Sequence, residues 1–216
     1  MKRILEDLER TINKSTIEEF RNFLNCFPNI SKWMIISDYC FNDPKRPNNC
    51  ISFIIYPYTV DLNTIQYKIN QLAKKDLKHS RTISQEFCDF YQKGTFYSIN
   101  FIIEHKNCFA HSLSIDSIRI LINQYLRLLD TWIKNQPHKK DYYEKIKRNM
   151  RQILIQTERK TFNRKLFIQI VTTTFLASYL TYLLIKETKV EVISWFSDAD
   201  KIINSFNGIA YNLYEI

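Results

Sequence analysis

Residues 190–202 read VEVISWFSDADKI. The run from Val190 to Phe196 is rich in β-branched and aromatic side chains and reads as a strand. Two aspartates, Asp198 and Asp200, follow two positions apart, and residues 199–214 read as a closing helix. In an extended segment residues two apart share a face, so these carboxylates would stand side by side where a strand ends. The competing reading makes Asp198 the cap of the final helix. An earlier stretch repeats the design: WMIISDYCF, residues 33–41, runs apolar from Trp33 to Ile36 and then places Asp38.

Working outward, residues 2–14 carry Ile4, Leu5, Leu8 and Ile12 at helical spacing. Ser15 with Glu18 has the form of a capping box ahead of a second helix, which Pro28 stops. Trp33–Phe41 and Cys50–Tyr58 flank the turn NDPKRPNN and predict an antiparallel hairpin. Residues 61–93 read as mostly helical with a break near KHSRTIS, and TFYSINFIIEH supplies a third strand. Two helices are expected over 114–135 and 138–160, and an apolar helix over 162–187. The order α-α-β-β-α-β-α-α-α-β-α predicts a helix-rich α/β fold with a mixed sheet and packed helices. Residues 1–30 form an N-terminal helical segment in this reading. Residues 31–216 form the α/β domain, with a long basic helical insertion around 114–187.

Composition excludes some functions. The chain has only Gly94 and Gly208. Loops that cradle phosphates need several glycines for close backbone approach, so nucleotide fingerprints of the Walker or dinucleotide type are absent. Net charge is +9. Residues 134–165 hold eleven Lys/Arg against three Asp/Glu, an excess of eight, which points to an anionic partner or a solvated basic face. Five cysteines without a CxxC pair argue against a disulfide framework or a zinc ribbon. The charged start MKRILEDLERTINK does not read as a signal peptide, so a cytoplasmic setting is expected. Residues 166–185, LFIQIVTTTFLASYLTYLLI, lack charge over a membrane-spanning length. Gln169, three threonines at 172–174, Ser178 and Thr181 favour a helix buried by protein, whose neighbours can satisfy them, over a membrane span.

Several constellations could carry chemistry. Asp38, Asp198 and Asp200 are candidate ligands of Mg²⁺, a hard cation that takes oxygen donors, with Glu104 or Asp76 as a further acid. EHKNCFAH groups His105, Cys108 and His111 at a spacing that matches no defensible zinc pattern. AKKDLKHSR gathers Lys74, Lys75, Lys78 and Arg81 as candidate phosphate contacts, with His79 placed for proton transfer. Lys147, Arg148 and Arg151 belong to a long basic helix that could lie on nucleic acid or on an acidic protein partner. Tyr142 and Tyr143, beside Lys139 and Lys140, are candidates for stacking on bases.

The arrangement resembles the ribonuclease-H-like fold, and more narrowly uncharacterised families of that fold in bacterial mobile elements and defence islands. Asp38 stands at the position of the first-strand acid. Asp76 and Lys78 match a short acidic-apolar-Lys motif, and Asp198 and Asp200 match the motif opening the final helix. The resemblance covers roughly residues 33–214. It departs at Tyr39, where the family pattern often has Glu, and at CFNDPKRPNN, where a small-residue turn is expected. It implies a Mg²⁺-dependent nuclease or nuclease-like component of a defence or mobile-element system. The alternative it implies is a catalytically inactive subunit of a multi-protein defence complex, binding a partner or nucleic acid through its basic helices.

Overall fold

A computed structural model of the chain describes residues 2–73, 80, 82–104 and 113–216. Two helices open the chain, α1 (Lys2–Ser15) and α2 (Ile17–Asn25), and the hairpin β1 (Lys32–Cys40) and β2 (Asn48–Pro57) follows. Then come α3 (Leu62–Leu72), α4 (Gln85–Gln92) and β3 (Tyr97–Glu104). The remaining elements are α5 (Ile115–Asn135), α6 (Lys140–Gln156), α7 (Arg164–Glu187), β4 (Val192–Ser197) and α8 (Lys201–Glu215). The fold is helix-rich α/β with a four-stranded mixed sheet in the order β3-β2-β1-β4.

Local chemistry explains most boundaries. Asp61, Ser84 and Ser114 cap α3, α4 and α5 by accepting from the backbone N–H three residues on. The Ser15–Glu18 capping box does not form. α1 runs through Ser15, whose hydroxyl donates back to the Thr11 carbonyl at 2.8 Å. Thr16 becomes the cap position of α2 without a side-chain cap bond, because its hydroxyl pairs with that of Tyr97.

The chain divides into two compact units, and every strand contributes residues to both. The first joins Met1–Ser37, Ser52–Asn100 and Thr181–Phe196. The N-terminal helices, the helical segment 1–30 of the sequence reading, belong to it: Phe20 and Phe23 lie 5.2 and 5.5 Å from Tyr97, and Phe23 meets Trp33 edge-on at 6.1 Å. Burying each such aromatic contributes about 1.5–3 kcal/mol. β4 pairs with β1 in this unit. Glu191 and Val192 donate to the Ser31 carbonyl, and further along Ser37 Oγ reaches the Phe196 carbonyl, so the two strands run in the same direction. The indole of Trp195 donates to Ser37 at 2.9 Å, which accounts for a buried serine in an apolar strand.

The second unit joins Asp38–Ile51, Phe101–Leu180 and Ser197–Ile216. α5 and α6 form an antiparallel helical hairpin, since Arg119 early in α5 bonds Thr157 beyond the end of α6, and Asp130 late in α5 bonds Lys147. Ile118, Ile122 and Leu129 of α5 and Ile146, Met150 and Ile153 of α6 are buried at helical spacing. α7 is long and apolar enough to cross a membrane, and 67% of its most apolar window is buried inside the protein. Thr172 and Thr174 donate to carbonyls one turn back in the same helix, so their hydroxyls need no outside partner.

α8 departs from the single closing helix expected. Ser205 leaves helical geometry, and Phe206, Asn207 and Gly208 follow with φ of 51°, 58° and 71°. Three consecutive left-handed residues break the helix in two. A left-handed conformation costs a non-glycine residue about 1–2 kcal/mol, least for Asn, so the Phe206 backbone is strained. Its ring is held 5.7 Å from both Phe162 and Phe167, and Asn207 Nδ2 donates to Gln152 Oε1 at 2.8 Å.

Candidate functional site

β4 lies next to β1, and the turn after it brings Asp200 to the strand that carries Asp38. Asp38 and Asp200 nevertheless have different partners. Along β1 the buried residues Trp33, Ile35 and Ser37 share a register with Tyr39, whereas Asp38 falls in the other register with exposed Ile36 and Cys40. Asp38 Oδ1 accepts from the backbone N–H of Tyr39 at 2.8 Å. The hydroxyl of Tyr39 donates to Asp200 Oδ1 at 2.5 Å. That oxygen also accepts from the N–H groups of Ile202 and Ile203, so Asp200, not Asp198, is the cap of α8. Asp198 is exposed, and its carbonyl accepts from the N–H of Asp200, closing the turn. Burial, followed by the hydrogen bond to Asp200 and the negative charge of both aspartates, pushes the Tyr39 phenol well above its ordinary range.

Glu104 ends β3 and is exposed. Sharing a site with Asp38 would need β3 beside β1, and β2 lies between them. Two strand spacings amount to about 10 Å. Among the described residues no group of three or more His, Cys, Asp or Glu is arranged to hold a metal ion. Lys74, Lys75, Asp76, Lys78, His79 and Arg81 lie outside the described residues, as do His105, Cys108 and His111.

The basic segment divides into structural and exposed cations. Lys147 is only 5% exposed, and its ammonium donates to Asp130 at 2.5 Å and to Glu144 at 3.1 Å. Two of its three protons are thus held by the chain's own carboxylates, which works against the expected contact with nucleic acid. Arg148 and Arg151 are exposed, as are the other eight Lys/Arg of residues 134–165. The stacking role expected of Tyr143 also fails: it is buried against Trp132, with its hydroxyl on Gln136. Tyr142 is half-exposed but donates to Glu215, and partial burial and that bond push its phenol up to about 12.

Two clefts in the second unit flank the start of α7. One, of about 420 Å³, lies beside Asn42, Asn49, Arg164, Lys165 and Gln169. Asn42 has φ of 58° there, and its N–H donates to the buried side chain of Asn49 at 2.8 Å, which ties the hairpin end together. The other, of about 380 Å³, is bounded by the chain between α6 and α7 and by the left-handed kink of α8. Sequence reasoning missed it. The signal available was Asn207-Gly208, a turn dipeptide inside an otherwise helical pattern.

Comparison with known proteins gives no match among family models, curated proteins or solved structures.

Proposed function

We propose that this chain is a ribonuclease-H-like protein that has no working acid site and binds an anionic partner, nucleic acid foremost, through the basic surface of residues 134–165. One observation carries the reading. Asp200, the acid best placed beside β1, is occupied twice over, capping α8 and accepting from Tyr39. Tyr39 stands where the resembled family pattern often has an acid, so a donor to Asp200 replaces a further ligand. The exposed cations, Arg148 and Arg151 among them, supply the attraction. The bacterial defence or mobile-element setting, the multi-protein complex and the cytoplasmic location rest on the resemblance and the sequence alone.

The test is binding of single- and double-stranded oligonucleotides across a salt series. Reversing both Arg148 and Arg151 to Glu should weaken binding and flatten the dependence on salt, by about 0.7 in log–log slope for each lost contact to a single strand. An unchanged slope would remove α6 from the interface.

A second reading keeps the Mg²⁺-dependent phosphodiesterase, with Asp38, Asp198 and Asp200 as ligands. The adjacency of β1 and β4 favours it. It requires Asp200 to ligate through Oδ2, since Tyr39 and the α8 N-terminus hold Oδ1. Mg²⁺-dependent cleavage of an oligonucleotide that Asp38→Asn abolishes would establish it.

A further inference from the structure

The cleft of about 380 Å³ between the α6–α7 connection and the α8 kink has the chemistry of a base-binding site. We propose that it takes one unstacked nucleobase of a single-stranded nucleic acid, against Phe162 and Phe206, with Arg159 on an adjoining phosphate. The inference rests on the basic-surface reading above and narrows it to a ligand class.

Its lining is selective. Phe162 and Phe206 are both half-buried, with ring centroids 5.7 Å apart, so each keeps surface for a partner. Gln156, Asn163 and Asn207 supply carboxamides, which donate and accept as base edges do. Asn163 Oδ1 accepts from the Leu166 N–H at the start of α7, a bond that leaves its nitrogen uncommitted. Asn207 Nδ2 donates to Gln152, a bond that leaves its oxygen as an acceptor. No carboxylate is among the described lining residues, so an anionic ligand meets no repulsion from the walls. Arg159 is exposed at the rim and belongs to the cationic segment that would follow a phosphate backbone.

The backbone gives an independent indication. Left-handed Phe206 is an uncommon conformation for a bulky residue, and it forms part of the cleft. Such strain gathers at ligand sites, where the surroundings hold a side chain in a working position. Here the edge contact with buried Phe167 supplies that hold. An acidic peptide would use Arg159 but would leave the two flat rings and the mixed donor-acceptor walls unexplained. A nucleotide uses all three.

Fluorescence anisotropy on the full chain tests the proposal, with a labelled oligothymidylate and an abasic oligomer of equal length as probes. The intact oligomer should bind about tenfold more tightly than the abasic one, the scale of base–aromatic stacking. Phe162→Leu, which keeps apolar packing against Phe167, should shrink that difference, and so should Gln156→Ala, which removes a partly exposed carboxamide from the lining. Equal, salt-dependent binding of both oligomers to the unaltered chain would overturn base capture while leaving the basic-surface reading standing. Binding of neither oligomer would overturn both.

Discussion

Tyr39→Phe removes one hydroxyl and nothing else, which makes it the sharpest probe of the β1–β4 end. The hydroxyl donates to a carboxylate, and hydrogen bonds to charged groups contribute about 1.5–3 kcal/mol when well shielded. Asp200 is exposed and Tyr39 only partly buried, so solvent competes and about 1 kcal/mol is expected. For a chain of this size that lowers Tm by roughly 2–4 °C. The alkaline limb carries a second signature. The folded protein holds the phenol proton more tightly than the unfolded chain, so the stabilisation is whole below the unfolded value near ~10. It is then lost as pH rises toward the raised folded value. The Phe variant lacks that group, and its Tm should fall less steeply above pH ~10 than that of the unaltered chain. Thermal melts followed by far-ultraviolet circular dichroism at neutral and alkaline pH measure both effects. Equal Tm at neutral pH together with parallel alkaline limbs would refute the Tyr39–Asp200 bond as a structural tie.

Asp200→Ala should cost more than Asp198→Ala in urea denaturation, by about 1 kcal/mol for the lost cap plus the loss of the Tyr39 acceptor. Lys147→Met should leave oligonucleotide affinity unchanged, since Lys147 is buried and already paired. It should also flatten the pH profile of stability at both ends. The Lys147 hydrogen bond holds Asp130 below the usual carboxylate range, a contribution present above ~3.9 and lost as pH falls through the lowered value. Lys147 is itself raised, chiefly by its bond to Asp130, a contribution whole below ~10.4 and lost as pH rises through the raised value. Gly208→Ala meets nothing closer than 3.9 Å, yet φ of 71° there should make it destabilising by about 1 kcal/mol, read as a shift in urea midpoint.

Periodicity was enough for the elements. The β-branched runs at 33–36 and 190–196 became strands, and the spacing of Ile118, Ile122 and Leu129 became the buried stripe of α5. Pairing was legible too, because the hairpin turn and the helical crossovers left a mixed sheet as the natural arrangement. Side-chain partners were not. Nothing in EKIKRNMR separates Lys147 from Arg148; the difference is one step of about 100° around the helix, and it turns on where α5 places Asp130. Ser15 looked like a cap, but Tyr97, distant in sequence, drew Thr16 into that position's geometry. The left-handed run at 206–208 conflicts with local preference at Phe206, so only the packing of Phe162 and Phe167 around it accounts for it.

The same carboxylate decides between the two functional readings, and the energies can be compared. For a divalent ion to take Asp200 through Oδ1, the helix cap and the Tyr39 bond must both be given up, about 1 kcal/mol each. Together they weaken apparent metal affinity by roughly thirtyfold, because only the small fraction of molecules with Asp200 released would be competent. Tyr39→Phe removes one of the two obstacles. If Asp38, Asp198 and Asp200 form a latent metal site, that variant should bind Mn²⁺ or Mg²⁺ about fivefold more tightly than the unaltered chain, seen as a metal-dependent rise in Tm. Asp38→Asn in the Tyr39→Phe background should then cancel the rise. If Asp200 is a structural residue only, Tm of both chains stays indifferent to either ion, since alternation along β1 keeps Asp38 on the far side of the strand from Tyr39. The non-catalytic reading expects this second outcome, and a metal-dependent rise in the Phe variant would overturn it.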